Sequence, residues 1–255
     1  MIQPLPSSFL RIPLSHRGLH DVADGRPENS LAAVQAAIAA GYGIEIDVQL
    51  TADDQAAVFH DYGLDRLTGA EGPVRRRTLR ELSTIPLIGG RDGAPGLAEV
   101  LALVAGQVPL LVEIKDQDGA LGEDVGPLET AVAKALADYQ GPVAVMSFNP
   151  HSVAAMQALA PDLPRGLVTE AFPPDEWPCP KDRLARLADI PDFARVGASF
   201  ISHDVKDLDR PRVAQLKAEG VPILTWTIRS PEEEAAARKV AANITFEGYL
   251  PGLPA

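Results

Sequence analysis

Two hydrophobic patterns alternate along most of the chain. Short apolar or alternating runs lie at 12–15, 43–50, 110–114, 143–147, 166–169, 198–202, 223–227 and 244–246. Their length, and the Gly or Pro just before several of them (Gly41, Pro109, Pro142, Gly197, Pro222), predict eight β-strands. Between them, 30–40, 128–139, 150–159, 211–219 and 231–242 have helical spacing. Asn29 or Ser30 is placed to cap the first helix and Gly41 to stop it. Pro150, Pro211 and Pro231 open three others, where a missing N–H costs nothing. Strands alternating with helices imply parallel pairing, and eight repeats predict closure into a TIM-type (β/α)8 barrel. An open doubly wound sheet is the rival, but no Gly-rich phosphate loop supports it.

One interval breaks the alternation. After the second strand, 54–60 resembles a short return strand, and 62–96 is rich in Gly, Pro and Arg. With too few apolar residues for its own core, that stretch is expected to cap the barrel mouth, so 1–255 is predicted to be one domain.

Composition narrows the function classes. A formal net charge of −12 disfavours nucleic acid as a partner and disfavours docking on an anionic membrane through a basic patch. It leaves room for a small anionic substrate if a metal and a few cations reverse the field locally. Cys179 is the only cysteine, which excludes an intrachain disulfide. No apolar run approaches the ~20 residues of a membrane span, and the N-terminus lacks a signal-peptide pattern. A cytoplasmic enzyme without stable membrane association is therefore expected. The pattern leaves the oligomeric state open.

The sharpest feature is acidic residues where a barrel strand should be apolar. In 43–50, Glu45 and Asp47 share one face and Ile44, Ile46 and Val48 the other. In 110–114, Glu113 shares a face with the following Lys115, opposite Ile114. If the aliphatic faces pack on helices, the carboxylates converge inside the barrel. One Lys cannot neutralise three acids, whereas a hard divalent cation can. An ion-pair network without metal is the alternative. His16 and His60 follow strands, at the end where such barrels hold active sites, and two imidazoles suit acid–base work. Arg17 offers a planar fork for phosphate, or else a salt bridge to Glu28 or Glu45. Trp226 is either core or a wall of the mouth. His20, His151 and His203 have no partner pattern and are expected to be non-catalytic.

These residues resemble the glycerophosphodiester phosphodiesterase family along most of the chain. The segments that carry the likeness are HRG at 16–18, PENS at 27–30, IEIDVQLTADDQAAVFHD at 44–61, LDRLTG at 64–69, VEIK at 112–115, SFNP at 147–150 and TWTIRS at 225–230. The resemblance implies one Mg²⁺ or Ca²⁺ held by Glu45, Asp47 and Glu113. It implies His16 and His60 as the acid–base pair, with Arg17 and Lys115 steadying phosphate charge. Glu28 and Trp226 are further candidates for substrate contact, read from their positions and not from the resemblance. It also implies hydrolysis of small glycerophosphodiesters to glycerol 3-phosphate and an alcohol. A lipid-directed relative of lysophospholipase D or phosphoinositide type is the alternative enzyme, and a glycerol-phosphate-binding barrel the non-enzymatic one. The chain departs from the family at Thr245-Phe246-Glu247-Gly248-Tyr249 and at Arg229. Those departures are expected to alter outer substrate contacts and leave the acidic cluster and both histidines untouched.

Overall fold

A computed structural model describes residues 2–254. Eight parallel strands form a closed barrel: β1 (Leu14–Ser15), β2 (Gly43–Leu50), β4 (Leu110–Ile114), β5 (Val143–Ser147), β6 (Arg165–Thr169), β7 (Phe200–Asp204), β8 (Ile223–Ile228) and β9 (Asn243–Phe246). The ring closes because β1 pairs with both β2 (Leu14 opposite Gly43) and β9 (Leu14 opposite Thr245). One further strand, β3 (Ala56–Val58), returns antiparallel on β2. Helices α2 (Leu31–Ala40), α4 (Leu97–Val104), α5 (Pro127–Leu136), α6 (Pro150–Leu159), α7 (Lys181–Ala188), α8 (Pro211–Ala218) and α9 (Pro231–Ala237) run between the strands. Two shorter ones, α1 (Ser8–Arg11) and α3 (Leu79–Thr84), lie outside that alternation. No helix among the described residues is long and apolar enough to cross a membrane.

Alternation within each strand sorts two cores. Ile44, Ile46, Val48, Val112 and Ile114 point outward and pack with Val34, Val100 and Val132 of the surrounding helices. The inward set at the base is Leu14, Leu111, Ala144, Val168, Phe200 and Leu224, with Leu5 and Phe9 from the N-terminal segment filling the lower opening. Phe200 is fully buried, a burial worth about 1.5–3 kcal/mol, and its ring lies across Gly166, where a Cβ has no room. The acidic residues occupy the upper layer of the same interior.

Local chemistry explains the element ends. Ser30, not Asn29, caps α2 by accepting from the Ala33 N–H, and Gly41 (φ 79°) ends it in the left-handed region. Helix α5 begins at Pro127 and, like α9, ends several residues before the spacing predicts, because the chain tightens into turns. Four helices, α1, α3, α4 and α7, were not legible as helices. The seventh strand lies further along than 198–202, running on through Ser202-His203-Asp204. Its polar residues are accommodated because buried His203 meets Thr169 Oγ1 at 2.7 Å and the Asp207 carbonyl at 3.0 Å.

The 62–96 stretch contains α3, whose N-terminus carries a reciprocal Thr78–Glu81 capping box. It also holds more apolar packing than its composition suggests. Leu64, Leu67, Val74, Leu82, Leu87 and Ala94 cluster on Ala57 and Phe59, so the apolar floor is borrowed from β3 and the residue after it.

Candidate active site

The register of β2 and β4 sets Asp47 beside Glu113, with Glu45 two residues earlier on the same face. Ligand oxygens from the three carboxylates lie within 4.8 Å of one another, and all three residues are buried. Among the described residues, this is the only group of three or more His, Cys, Asp or Glu side chains with metal-holding spacing. Two cations touch it: Lys115 Nζ lies 2.8 Å from Glu113 and 3.4 Å from Asp47, and Arg17 Nε lies 3.4 Å from Asp47.

Surroundings give the carboxylates opposite character. Burial, reinforced by Asp47 and Glu113, holds the Glu45 carboxyl well above its ordinary pKa. Burial pushes Asp47 the same way, but Lys115, His60, Arg17 and a hydrogen bond from Asn29 outweigh it and hold Asp47 far below. Burial also disfavours the charge on Lys115, yet Glu113 and Asp47 keep its pKa raised. An all-oxygen donor set that cannot ionise fully by itself fits a hard dication.

Tight turns after β1 and before α2 frame the cluster. Arg17 (φ 55°) and Gly18 (φ 78°) are both left-handed, and a Cβ on Gly18 would lie 2.9 Å from the Ala33 Cβ. This turn aims the Arg17 N–H at Glu45 Oε2 at 3.0 Å, while the Gly18 N–H meets the Glu45 carbonyl at 3.1 Å. Asn29 (φ 58°) donates from Nδ2 to Asp47 Oδ2 at 2.9 Å and accepts the Asp47 N–H at 3.2 Å. Its side chain therefore locks one carboxylate rather than capping a helix. The Arg17–Glu28 salt bridge read as an alternative is present at 2.7 Å. Glu28 in turn receives Arg66, which also clamps Asp61.

The two imidazoles are each held at Nδ1. His60 meets Asp61 at 2.6 Å, and Gln49 fixes the backbone there by donating to the His60 carbonyl at 2.9 Å. His16 meets Glu247 Oε2 at 2.7 Å, and Glu247 Oε1 lies 2.7 Å from Arg229 Nη2. The departure at 245–249 therefore does reach a histidine, contrary to the expectation above. His20 Nε2 also approaches Glu247, at 3.7 Å. Burial lowers the His16 pKa despite the opposing pull of Glu247, while His16 and His20 hold Glu247 far below its usual range.

A cavity of about 200 Å³ opens above the cluster, lined by both histidines, Arg17, the three carboxylates, Lys115, Ser202, Trp226, Arg229 and Thr245. Trp226 lies on its wall, donating from Nε1 to the Ser202 carbonyl at 3.0 Å, and it also contacts the inward core. Arg17 Nε, Ser202 Oγ and Thr245 Oγ1 are buried without hydrogen-bond partners, leaving polar atoms on this wall for a polar ligand. Sequence reasoning singled out neither Asn29 as a carboxylate holder nor Glu247 as a histidine partner. The PENS segment carried a signal for the first, whereas nothing local marks the second.

The sequence profile of the glycerophosphoryl diester phosphodiesterase family matches residues 16–245. Protein YhdW of Bacillus subtilis (strain 168) is 28% identical over 92% of this chain and 93% of its own. A glycerophosphodiester phosphodiesterase of Caldanaerobacter subterraneus subsp. tengcongensis is 33% identical over 64% of this chain and 69% of its own. A solved Oleispira antarctica phosphodiesterase in complex with the product sn-glycerol-3-phosphate superposes with a TM-score of 0.76, covering 94% of each chain at 24% identity. The glycerophosphodiester phosphodiesterase of Thermotoga maritima has a TM-score of 0.68 over 92% of this chain and 94% of its own, at 20% identity. These last two likenesses concern the fold.

Proposed function

We propose, starting from the fact that this chain belongs to the glycerophosphoryl diester phosphodiesterase family, that Glu45, Asp47 and Glu113 hold one divalent cation beside a proton-transferring pair, His16 and His60. The enzyme is a phosphoric diester hydrolase that splits glycerophosphodiesters into glycerol 3-phosphate and an alcohol. One observation carries the site assignment: three carboxylates buried within 4.8 Å of one another between two fixed imidazoles, with too few cations to neutralise them. Oxygen-only donors favour Mg²⁺ or Ca²⁺, and such an ion would supply positive charge where the phosphoryl oxygens sit.

The protein's own groups divide the remaining work. Arg17, whose Nε lies beside Asp47 but makes no hydrogen bond, donates to a phosphate oxygen, and Lys115 adds charge from the β4 side. Ser202 and Thr245, also unpaired, suit the hydroxyls of a glycerol unit. His16 is engaged at Nδ1 and held neutral by burial, so its Nε2 accepts the proton of the attacking oxygen as the new bond to phosphorus forms. His60, also engaged at Nδ1, donates from Nε2 to the alcohol oxygen as its bond to phosphorus breaks. Acid–base groups of this kind contribute about 10²–10⁴-fold each.

The test is hydrolysis of a small panel of glycerophosphodiesters with Mg²⁺, with Ca²⁺ and with chelator. Activity restored by one of the ions and lost with chelator is expected, and so is a loss of about 10²–10⁴-fold in His16→Ala and in His60→Ala. Full activity in chelator, or near-normal turnover in either variant, contradicts the assignment.

A further inference from the structure

A second cavity, of about 260 Å³, adjoins the first and shares His60, Glu113, Lys115 and Phe148 with it. Its remaining lining is Asp61, Tyr62, Asp116, Leu121 and Trp177, and it is far more apolar than the first. Both lining rings are partly exposed: Phe148 and Trp177 have centroids 5.1 Å apart and planes tilted by 56°. Trp177 is fixed from behind by its indole N–H donating to buried Glu170. Tyr62, half exposed, closes the cavity from the 62–96 stretch, its hydroxyl near the Gly119 turn after β4.

The charge here is negative. Asp116 is buried and takes hydrogen bonds only from neutral donors, the Leu121 N–H at 3.1 Å and Asn149 Nδ2 at 2.7 Å. Glu170 likewise takes the neutral indole. Lys115 is the lining ammonium, but Glu113 and Asp47 already occupy it, and Asp61 is similarly spent on His60 and Arg66. Aromatic faces with an unbalanced carboxylate and few hydrogen-bonding groups suit a cation that has no N–H to satisfy.

We propose that this aromatic cavity, bounded by Tyr62, Phe148, Trp177 and Asp116, seats the departing alcohol of the substrate and selects a quaternary ammonium alcohol such as choline. The inference rests on the reading above, because it places the departing group beside His60 while glycerol phosphate takes the polar cavity with Arg17, Ser202 and Thr245. A primary ammonium would lose hydrogen bonds to water that this lining cannot replace, and a polyol would lose more. A trimethylated nitrogen loses none and gains the ring faces.

The decisive measurement compares kcat/KM for glycerophosphocholine, glycerophosphoethanolamine and glycerophosphoglycerol with the metal-loaded enzyme. The choline diester should be favoured over the glycerol diester by roughly 5–30-fold, the range of one or two cation–aromatic contacts. That ratio should fall toward unity in Tyr62→Ala and in Asp116→Asn, the first of which removes a half-exposed ring. Tetramethylammonium should inhibit the wild type competitively with the choline diester, a readout that needs no variant. Equal use of the diesters by the wild type, variants that keep the wild-type ratio, or no competition by tetramethylammonium would overturn the subsite. Failure to hydrolyse any of the diesters would instead overturn the catalytic reading beneath it.

Discussion

Glu45→Gln should make the metal-free protein more stable while abolishing its response to a cation. With ligand oxygens no more than 4.8 Å apart, each like-charge pair in the trio repels by at least about 3.5 kcal/mol at an effective dielectric of about 20. Lys115 and Arg17 offset part of this, and Asp47 and Glu113 are the better served. The remainder falls on Glu45, whose folded-state pKa is raised by burial and by those two carboxylates. A raised carboxyl pKa leaves stability intact below the unfolded value of about 4.3 and removes it as pH climbs toward the folded one. Over that window the wild type should lose about 1.4 kcal/mol per pH unit relative to the variant. For a chain of this size that is about 3–6 °C in Tm per pH unit, levelling once Glu45 ionises in the folded state. Asp47 is shifted the other way in both proteins and largely cancels from the comparison. Thermal melts of chelator-treated wild type and variant from about pH 5 to 9 read the slope. Adding Mg²⁺ or Ca²⁺ at about 100 times its Kd should then raise the wild type by about 2.7 kcal/mol and leave the variant nearly unmoved. Parallel melting curves at every pH, or equal cation shifts in both proteins, would refute the argument.

Three further outcomes follow from the same geometry. Asn29→Ala frees Asp47 Oδ2 and should weaken cation binding by about 10–100-fold in a calorimetric titration while His16 stays in place. Glu247→Gln removes the carboxylate that raises the His16 pKa, so the acid limb of the kcat/KM profile should move to lower pH and kcat should fall. An unmoved limb would mean another group sets it. Gly18→Ala places a Cβ 2.9 Å from Ala33 at a φ of +78°, and should cost about 1–3 kcal/mol in denaturant unfolding.

The fold was legible where the signal is local. In β2 a single octet states both the outward aliphatic face and the inward acids, and the structure keeps its bounds unchanged. Helix α4 was hidden because Leu97–Val104 is only two turns of almost wholly apolar residues, which periodicity alone does not separate from a buried strand. Helix α7 is short, and its buried residues Leu184, Leu187 and Ala188 are scattered among charges after a proline-rich stretch. The seventh strand was misplaced because Ser202-His203-Asp204 reads as loop until Thr169 and the Asp207 carbonyl are seen to satisfy His203. Within the site, the carboxylates and histidines could be named because the acids lie inside recognisable strands and the histidines just after them. Glu247 could not, since its partnership with His16 spans 231 positions and depends on how the barrel closes.

That closure rests on very little backbone. Strand β1 is two residues long, and Asn243 helps to tie the last strand to the first by donating to the Phe9 and Ile12 carbonyls at 2.8 and 2.7 Å. Joining segments 234 positions apart costs roughly 5 kcal/mol in chain entropy on a logarithmic scaling, recovered only once the seam is complete. On the same scaling the β2–β4 ladder, which joins Asp47 to Glu113, costs roughly 1 kcal/mol less. A refolding chain should therefore acquire its cation-binding groups early and its finished His16 late, so that cation uptake precedes turnover in time.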